Sequence, residues 1–158
     1  MHLWGGQTQD GSEDDGIKLA NCIEQFDPYL EVWSQLNTAG TPHPGLESAA
    51  CASSGELVYM YGGAKSRYEG VLSCFNVKSL TWLQLSPEGG TAGRPMRKIY
   101  CGMVHFHHDK LAVIGGYGYP TGPTQSGSSF IRNTRFTDGR RWTNEIHVFD
   151  LSQGIVTQ

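Results

Sequence analysis

The sequence of 158 residues predicts an all-β fold built from a repeated unit of short strands. Glycine is frequent, with 21 residues, and only 17% of the residues are charged. This composition is typical of short strands joined by tight turns. A glycine doublet follows an apolar stretch three times, at spacings of 57 and 53 residues, in LWGG, VYMYGG and AVIGG. Because a fixed period is the signature of repeat architectures, the doublets are the first evidence for the fold.

A second marker follows each doublet, in the segments CIEQFDPYLEVW, LSCFNVKSLTW and IHVFDLSQGIV. Each segment has a Phe followed by Asp or Asn, and seven residues after the Phe comes Trp or Val. The shared positions are Phe26, Phe75 and Phe149; Asp27, Asn76 and Asp150; and Trp33, Trp82 and Val156. The doublets themselves are Gly5 and Gly6, Gly62 and Gly63, and Gly115 and Gly116. Two markers in the same order at nearly the same period indicate a true repeat.

This pattern resembles the kelch repeat, a unit of about 50 residues that forms one four-stranded blade of a β-propeller. The resemblance extends over nearly the whole chain. It implies a partial propeller, with an incomplete blade one at residues 1–40, a complete blade two at 41–92, and a blade three at 93–158 that lacks most of its last strand. The fold class is therefore an incomplete ring of about two and a half antiparallel blades.

The strands follow from the apolar runs and the turn residues between them. The expected strands are 1–4, 20–26 and 32–36 in blade one; 48–52, 57–61, 71–75 and 81–85 in blade two; and 101–106, 110–114, 145–150 and one beginning at 155 in blade three. Residues 57–61 and 111–114 are continuous apolar runs, as expected for strands buried on both faces. The linkers 37–47 and 86–98 are rich in Pro, Gly and Thr.

Specific roles follow for the two repeat markers. We expect each doublet to end the second strand of its blade, because glycine admits an unusual φ and a close approach of neighbouring backbone. We expect the Trp of the outer strand to pack against the next blade. Propellers have four to eight blades, so this ring cannot close and two blade faces stay exposed. We expect a piece of a longer protein; an incomplete gene model or a part that needs partners are the alternatives.

Several chemical functions find little support in the sequence. GGYGYPTG does not match the spacing of a dinucleotide loop, its prolines disfavour a following helix, and the GK[ST] of a P-loop is absent. His105, His107 and His108 have no identifiable fourth ligand, so packed or turn histidines are expected instead of a metal site. No G-x-S-x-G motif occurs. We therefore predict no cofactor, no metal and no catalytic residues. A galactose oxidase-like kelch enzyme is the enzymatic alternative.

Charge and cysteine content indicate which partners and which cellular compartment to expect. The net charge of −3 does not predict binding to nucleic acid, and no apolar run is long enough to span a membrane. The four cysteines at positions 22, 51, 74 and 101 form no CxxC motif, and the N-terminus does not resemble a signal peptide. We interpret them as reduced core residues of a cytoplasmic protein, with the nucleus as the alternative compartment.

The long segment 117–144 of blade three departs most from the repeat, since only eight residues separate the corresponding elements of blade two. Loops of this length are often functional. The segment combines aromatic side chains with four arginines, a composition that suits protein recognition through apolar anchors and forked donors for carboxylates. The predicted contact residues are Tyr117, Tyr119, Trp142, Arg140 and Arg141. A non-enzymatic protein-interaction module for a protein or peptide, such as an acidic segment or a C-terminal tail, is the expected function; the oligomeric state is not predicted.

The segments KIYCGMVHFHHDKLAVIGGYGYP and RRWTNEIHVFD are similar to one subgroup of kelch proteins, the substrate receptors of cullin-RING ubiquitin ligases that read C-terminal tails. The resemblance implies pocket roles for Tyr117, Trp142 and Lys98. The arginines that grip the carboxylate in that subgroup come from the next blade, which this chain lacks. A ligase adaptor is therefore an alternative function, and it requires a BTB domain or a cullin box in flanking sequence.

Overall fold

The computed structural model describes residues 1–9, 17–19, 22–43, 47–64, 71–85, 98–107, 109–118 and 140–153. These residues form antiparallel sheets and one short 3-10 helix, Leu151–Gln153. The all-β fold and the propeller blades predicted from the sequence are confirmed. In chain order the strands are β1 (His2–Trp4), β2 (Gln7–Gln9), β3 (Ile17–Leu19), β4 (Ile23–Asp27), β5 (Val32–Leu36), β6 (Glu47–Ser54), β7 (Leu57–Ala64), β8 (Leu72–Asn76), β9 (Thr81–Leu85), β10 (Lys98–Ile99), β11 (Gly102–Phe106), β12 (Lys110–Ile114), β13 (Tyr117–Gly118), β14 (Arg141–Trp142) and β15 (Ile146–Asp150).

Blade two is a four-stranded sheet in the order β6-β7-β8-β9. The predicted bounds of β9 are correct, but the prediction that the glycine doublet ends the second strand is wrong in this blade. Strand β7 runs through Gly62 and Gly63 to Ala64, because Gly62 pairs with Ala49 and Ala64 pairs with Glu47 on β6. In the other two blades, β1 and β12 do end directly before their doublets.

The sheets of blades one and three each have three strands, in the orders β1-β4-β5 and β11-β12-β15. The predicted bounds of β5 and β12 are correct, whereas β4 begins at Ile23, three residues later than predicted. The fourth strand predicted from residue 155 lies outside the described residues. A separate pair, β2 with β3, follows the first doublet.

The Asp or Asn of the second marker forms the turn that follows the third strand. Asp27 Oδ1 accepts hydrogen bonds from the backbone N–H groups of Tyr29 and Leu30, at 2.8 and 3.1 Å. Asn76 Oδ1 accepts two equivalent bonds from residues 78 and 79, both at 2.9 Å. Such side-chain-to-backbone bonds define Asx turns. The marker therefore recurs because each blade needs the same reversal of the chain.

Equivalent positions of the repeat share the left-handed backbone conformation. Leu80 and Glu31, each two residues before the repeat Trp, have φ of 54° and 55°. Ser48, near the start of β6, and Tyr100, two residues before β11, have φ of 56° and 55°. Positive φ is uncommon outside glycine, so its recurrence shows that the blade geometry imposes it.

Two apolar clusters join the blades. Between blades one and two, Trp82 and Phe75 pack with Ile23, and the rings of Trp82 and Trp4 lie 5.4 Å apart. The prediction that the repeat Trp packs against the next blade is therefore wrong for Trp82, because it faces the preceding blade. Trp33, its equivalent in blade one, is 48% exposed.

The second cluster lies between blades two and three. Its buried members are Tyr59, Tyr61, Leu72, Cys74, Leu85, Leu111, Val113 and Phe149. Tyr61 is fully buried, and its ring lies 5.7 Å from that of Phe149. The all-core interpretation of the cysteines is wrong in one case: Cys74 is buried, Cys22 and Cys101 are half-buried, and Cys51 is exposed. All four cysteines are free thiols, as predicted.

A largely apolar cavity of about 440 Å³ lies between blades one and two, beside the edge of β1 that pairs with no other described strand. Its lining includes Leu3, Ile23, Met60 and Phe75. In blades two and three the corresponding edge of the second strand is paired with β6 or β11.

Candidate functional site

The two ends of the long segment after the third doublet lie side by side. Strands β10, β13 and β14 form a small antiparallel sheet in which Tyr117 pairs with Ile99 on one side and with Trp142 on the other. The predicted segment 117–144 is thus not a loop throughout, since β13 and β14 lie at its two ends. Two backbone bonds fix it to the doublet, from Thr143 N–H to the Gly116 carbonyl at 2.9 Å and from Gly115 N–H to the Glu145 carbonyl at 2.8 Å.

Three aromatic rings meet on this sheet. The rings of Trp142 and Tyr100 are stacked, with centroids 6.1 Å apart and planes inclined by 29°, and the ring of Tyr117 meets Trp142 edge-on at 5.6 Å. Trp142 and Tyr100 are 49% and 61% exposed. We call Tyr100, Tyr117 and Trp142 the aromatic patch. Tyr100 and Trp142 are exposed, Tyr117 is half-buried, and ring contacts order all three, as expected of a contact surface.

Two basic residues directly precede Trp142 in the chain. Arg141 lies on β14 next to Trp142, and Arg140 directly precedes the strand; both are half-buried. Guanidinium groups present forked donors that suit carboxylates. The structure brings Tyr117 and Trp142 together; Arg140 and Arg141 adjoin Trp142 in sequence, and the register places Arg141 opposite Gly118, on the other face of the sheet from Trp142. Tyr119 lies outside the described residues.

Lys98 lies beneath the patch, and its side chain is fully buried. Its Nζ donates to a carboxylate oxygen of Glu145 and, at 2.8 Å, to Thr143 Oγ1. A buried ammonium is tolerated only when it is paired and hydrogen-bonded, and this pair meets that requirement. Lys98 therefore fixes β10 to the chain that follows β14, and its ammonium faces Glu145 instead of solvent.

The histidines predicted to be packed or in turns are described at two positions. The ring of His105 lies parallel to that of Tyr59, with centroids 6.1 Å apart, and His107 lies in the turn before β12. His108 lies outside the described residues. Within the described part of the chain, no group of three or more His, Cys, Asp or Glu side chains is placed to hold a metal ion. Likewise, no described helix is long and apolar enough to cross a membrane.

Tyr100 and Glu145 are the site residues that the sequence analysis missed. A signal for Tyr100 exists in the repeat itself, because the equivalent position of blade two carries the small polar Ser48. Tyr100 therefore departs from the repeat, because it places a large aromatic side chain at an exposed position. Glu145 gave no such signal, because its partner Lys98 is 47 residues away in the sequence.

The fold is that of a kelch-type propeller. No family model matches the sequence. The chain is 30% identical over 101 residues to Kelch-like ECH-associated protein 1A of Danio rerio, a match that covers 61% of this chain and 15% of the relative. It is 25% identical to Kelch domain-containing protein 2 of Bos taurus, over 100% of this chain and 40% of the relative, and 23% identical to that of Homo sapiens, over 95% and 38%.

A solved structure, that of YjhT, has the same fold. It matches 99% of this chain and 52% of its own, with a TM-score of 0.55 and 17% sequence identity. The chain is therefore a segment with the kelch β-propeller fold, similar in sequence to kelch domain-containing proteins. It spans less than half the length of the curated relatives that it matches.

Proposed function

We propose that this kelch segment is a protein-interaction module and that the aromatic patch, with Arg140 and Arg141, contacts an acidic peptide segment or a chain terminus. The observation that carries the proposal is the exposed, stacked pair of Trp142 and Tyr100, with Arg140 and Arg141 directly before Trp142 in the chain. Trp, Tyr and Arg are the residues most often dominant in binding energy at protein interfaces. Kelch relatives support a role in protein interaction in general.

The arrangement assigns a different task to each group. The stacked rings offer rigid apolar area that loses little conformational entropy on binding, and the guanidinium groups offer charged donors for a carboxylate. Lys98 supports the surface from below through Glu145 and Thr143. The Lys98 ammonium already has its own counter-ion in Glu145.

The test measures binding of fluorescent peptides to the full chain by anisotropy. An acidic peptide is compared with one in which each Asp and Glu is replaced by Asn and Gln. We expect the acidic peptide to bind and Trp142→Ala or Tyr100→Ala to weaken it tenfold or more, as expected for hot-spot residues. Tyr29→Ala is the matched control, because Tyr29 is 95% exposed in a blade-one turn. Equal affinity for both peptides, or full affinity in Trp142→Ala, contradicts the proposal.

A second candidate function is the substrate-receptor part of a cullin-RING ubiquitin ligase. It is favoured by the similarity to Kelch domain-containing protein 2 along essentially the whole chain. The role requires a cullin-binding element in addition to the blades. Copurification of a recombinant cullin scaffold with the longest transcript product tests it, and absence of that complex contradicts it. The four free thiols support a reducing compartment, and we propose the cytoplasm.

A further inference from the structure

The hairpin that joins β4 to β5 has three exposed apolar side chains at positions where the equivalent hairpin of blade two is polar. In blade one these side chains are Tyr29, Leu30 and Val32, and they are 95%, 71% and 50% exposed. We call these three residues the apolar tip. Counted from the repeat Phe of each blade, the matching residues of blade two are Lys78, Ser79 and Thr81.

The geometry of this hairpin does not require apolar side chains. In both blades an Asx turn closes the hairpin, since the side-chain oxygen of Asp27 or Asn76 accepts two backbone hydrogen bonds. In both, the residue two positions before the repeat Trp is left-handed, with φ of 55° at Glu31 and 54° at Leu80. Because blade two forms the same turn from polar residues, the fold does not account for the apolar tip of blade one.

The exposure of the apolar tip does not depend on how many blades surround it. Blade two has a blade on either side, and its turn residues Lys78 and Ser79 are nevertheless exposed, the side chain of Lys78 to 76%. Val32 lies on the face of its sheet that turns to blade two, the same face as the buried Ile23, and is still half exposed. A blade placed before blade one would therefore leave these positions accessible.

The charge of the hairpin indicates the chemistry of a partner. Residues 22–40 contain three carboxylates, Glu24, Asp27 and Glu31, and no Lys, Arg or His. Glu31 is exposed and stands between Leu30 and Val32 in the chain. Such a surface repels the phosphates of nucleic acids and of anionic lipids, and it complements Lys and Arg.

We propose that the apolar tip is a second docking surface, and that it binds a protein segment in which apolar side chains are flanked by Lys or Arg. The apolar side chains of both partners leave water on contact, which is the main driving force for association. The Asx turn fixes the backbone of Tyr29 and Leu30 before binding, so less conformational entropy is lost when the complex forms.

The apolar tip and the aromatic patch lie at opposite ends of their blades. Trp4, directly before the first doublet, pairs with Ile23 at the start of β4, whereas the apolar tip follows the end of β4. The aromatic patch adjoins the doublet of blade three through the hydrogen bond from Thr143 to Gly116. The two surfaces can therefore be occupied together, by partners of opposite charge.

The experiment selects random peptides displayed on phage against the immobilised full chain and discards those that bind a variant with the turn residues of blade two. That variant carries Tyr29→Lys, Leu30→Ser and Val32→Thr. It should fold, because blade two forms the same turn with these residues, and far-UV circular dichroism checks this. We expect the selected peptides to combine Lys or Arg with apolar residues, and to bind the variant about tenfold or more weakly in fluorescence anisotropy.

Two single variants separate the apolar contribution from the charged one. Leu30→Ser keeps the charge and removes apolar area, whereas Glu31→Gln keeps the size of the side chain and removes a carboxylate. Both should weaken the selected peptides, and the effect of Glu31→Gln should fade at high salt, because exposed charges are screened. Lys78→Ala is the matched control in the other hairpin and should leave their affinity unchanged.

Three outcomes overturn the proposal. The first is a selection that yields no peptide specific for the wild type, and the second is a set of selected peptides that is acidic. The third is binding of the chain to phosphatidylcholine vesicles that Leu30→Ser abolishes, which would assign the apolar tip to a lipid surface. The acidic peptide that tests the aromatic patch should bind the triple variant as it binds the wild type, so the two proposals fail or stand separately.

Discussion

The backbone of Lys98 crosses directly above Gly62, so closely that a Cβ atom at position 62 would lie 2.2 Å from the Lys98 carbonyl oxygen. No side chain fits there, and the φ of Gly62, 76°, is also unfavourable for any residue with a Cβ. The first glycine of the doublet thus brings β10 and the aromatic patch close to blade two. Blade two requires this glycine for a reason that is visible only between blades.

Gly62→Ala should therefore lower the stability of the fold by far more than the conformational cost of a positive φ alone. We expect it to lower the free energy of unfolding by about 3 kcal/mol or more, because backbone must move to relieve the contact. Gly6→Ala is the matched control: Gly6 has a φ of 95°, but nothing lies within 4 Å of its Cβ position. It should cost about 1 kcal/mol. Urea unfolding measures both, and equal losses contradict the steric argument.

The ion pair of Lys98 with Glu145 should respond unequally to removal of its two partners. Glu145→Gln leaves a buried ammonium without its counter-ion, and we expect a loss of about 3 kcal/mol. Lys98→Met removes the buried charge and leaves Glu145, whose side chain is 24% exposed, in partial contact with water, so the loss should be smaller. The double variant should be more stable than Glu145→Gln alone. A double-mutant cycle in urea checks this, and additive losses contradict it.

His43 predicts a pH dependence of stability. Its ring contacts Ser73 Oγ at 2.9 Å and the Gly62 carbonyl at 3.0 Å, and burial lowers the pKa of His43 to about 4 from 6.5. Between these two values the unfolded chain binds a proton that the folded chain does not. Stability should therefore be complete above pH 6.5 and fall as the pH is lowered towards 4, by about 3 kcal/mol in total.

The measurement is urea unfolding at intervals from pH 7.5 to pH 4. The variant His43→Asn, which cannot titrate, should be less stable at neutral pH and show a flatter profile over this window. The Lys110–Asp150 pair does not confuse the result, because its hydrogen bonds lower the pKa of Asp150 to about 2 and its stabilising effect is lost only below pH 4. A wild-type profile as flat as that of the variant contradicts the assignment.

The cysteines should differ widely in reactivity. Burial raises the pKa of Cys74 to about 11, and its thiol lies in the cluster between blades two and three, whereas Cys51 is exposed. Because the thiolate is the reactive form, a thiol reagent at pH 8 should label Cys51 within minutes and Cys74 only after unfolding. Mass spectrometry of labelled peptides locates the sites, with Cys51→Ser as the control. Early labelling of Cys74 would mean that the blade interface opens readily.

Much of the fold could be predicted from the sequence, because it depends on local interactions that recur in each blade. The doublets, the Asx turns after Phe26 and Phe75, and the apolar runs of β7 and β12 all act within a few residues of one another. Errors arose where a partner distant in sequence decides the outcome. The extension of β7 past Gly63 depends on pairing with Glu47, and the packing of Trp82 depends on which blade lies on which side.

The candidate site, too, could be predicted from the sequence only in part. The sequence pointed to Tyr117, Trp142 and the arginines as a departure from the repeat, and the structure brings Tyr117 and Trp142 together on one small sheet. The sequence did not indicate that Tyr100 stacks on Trp142, because the two residues are 42 positions apart in the chain. Their rings meet only because β10 and β14 pair with the two sides of β13. Their assignment to a binding role stays a prediction.

The sequence by itself determined that this chain is a series of kelch-type blades, because strands, turns and glycine doublets are set by short-range steric and hydrogen-bonding requirements. Only the tertiary structure decided which faces the blades bury, that Lys98 is enclosed against Glu145, and that Trp33 is half exposed while Trp82 is not. Burial is a property of neighbours in space. Two identical residues at equivalent positions of a repeat therefore differ according to whether another blade covers them.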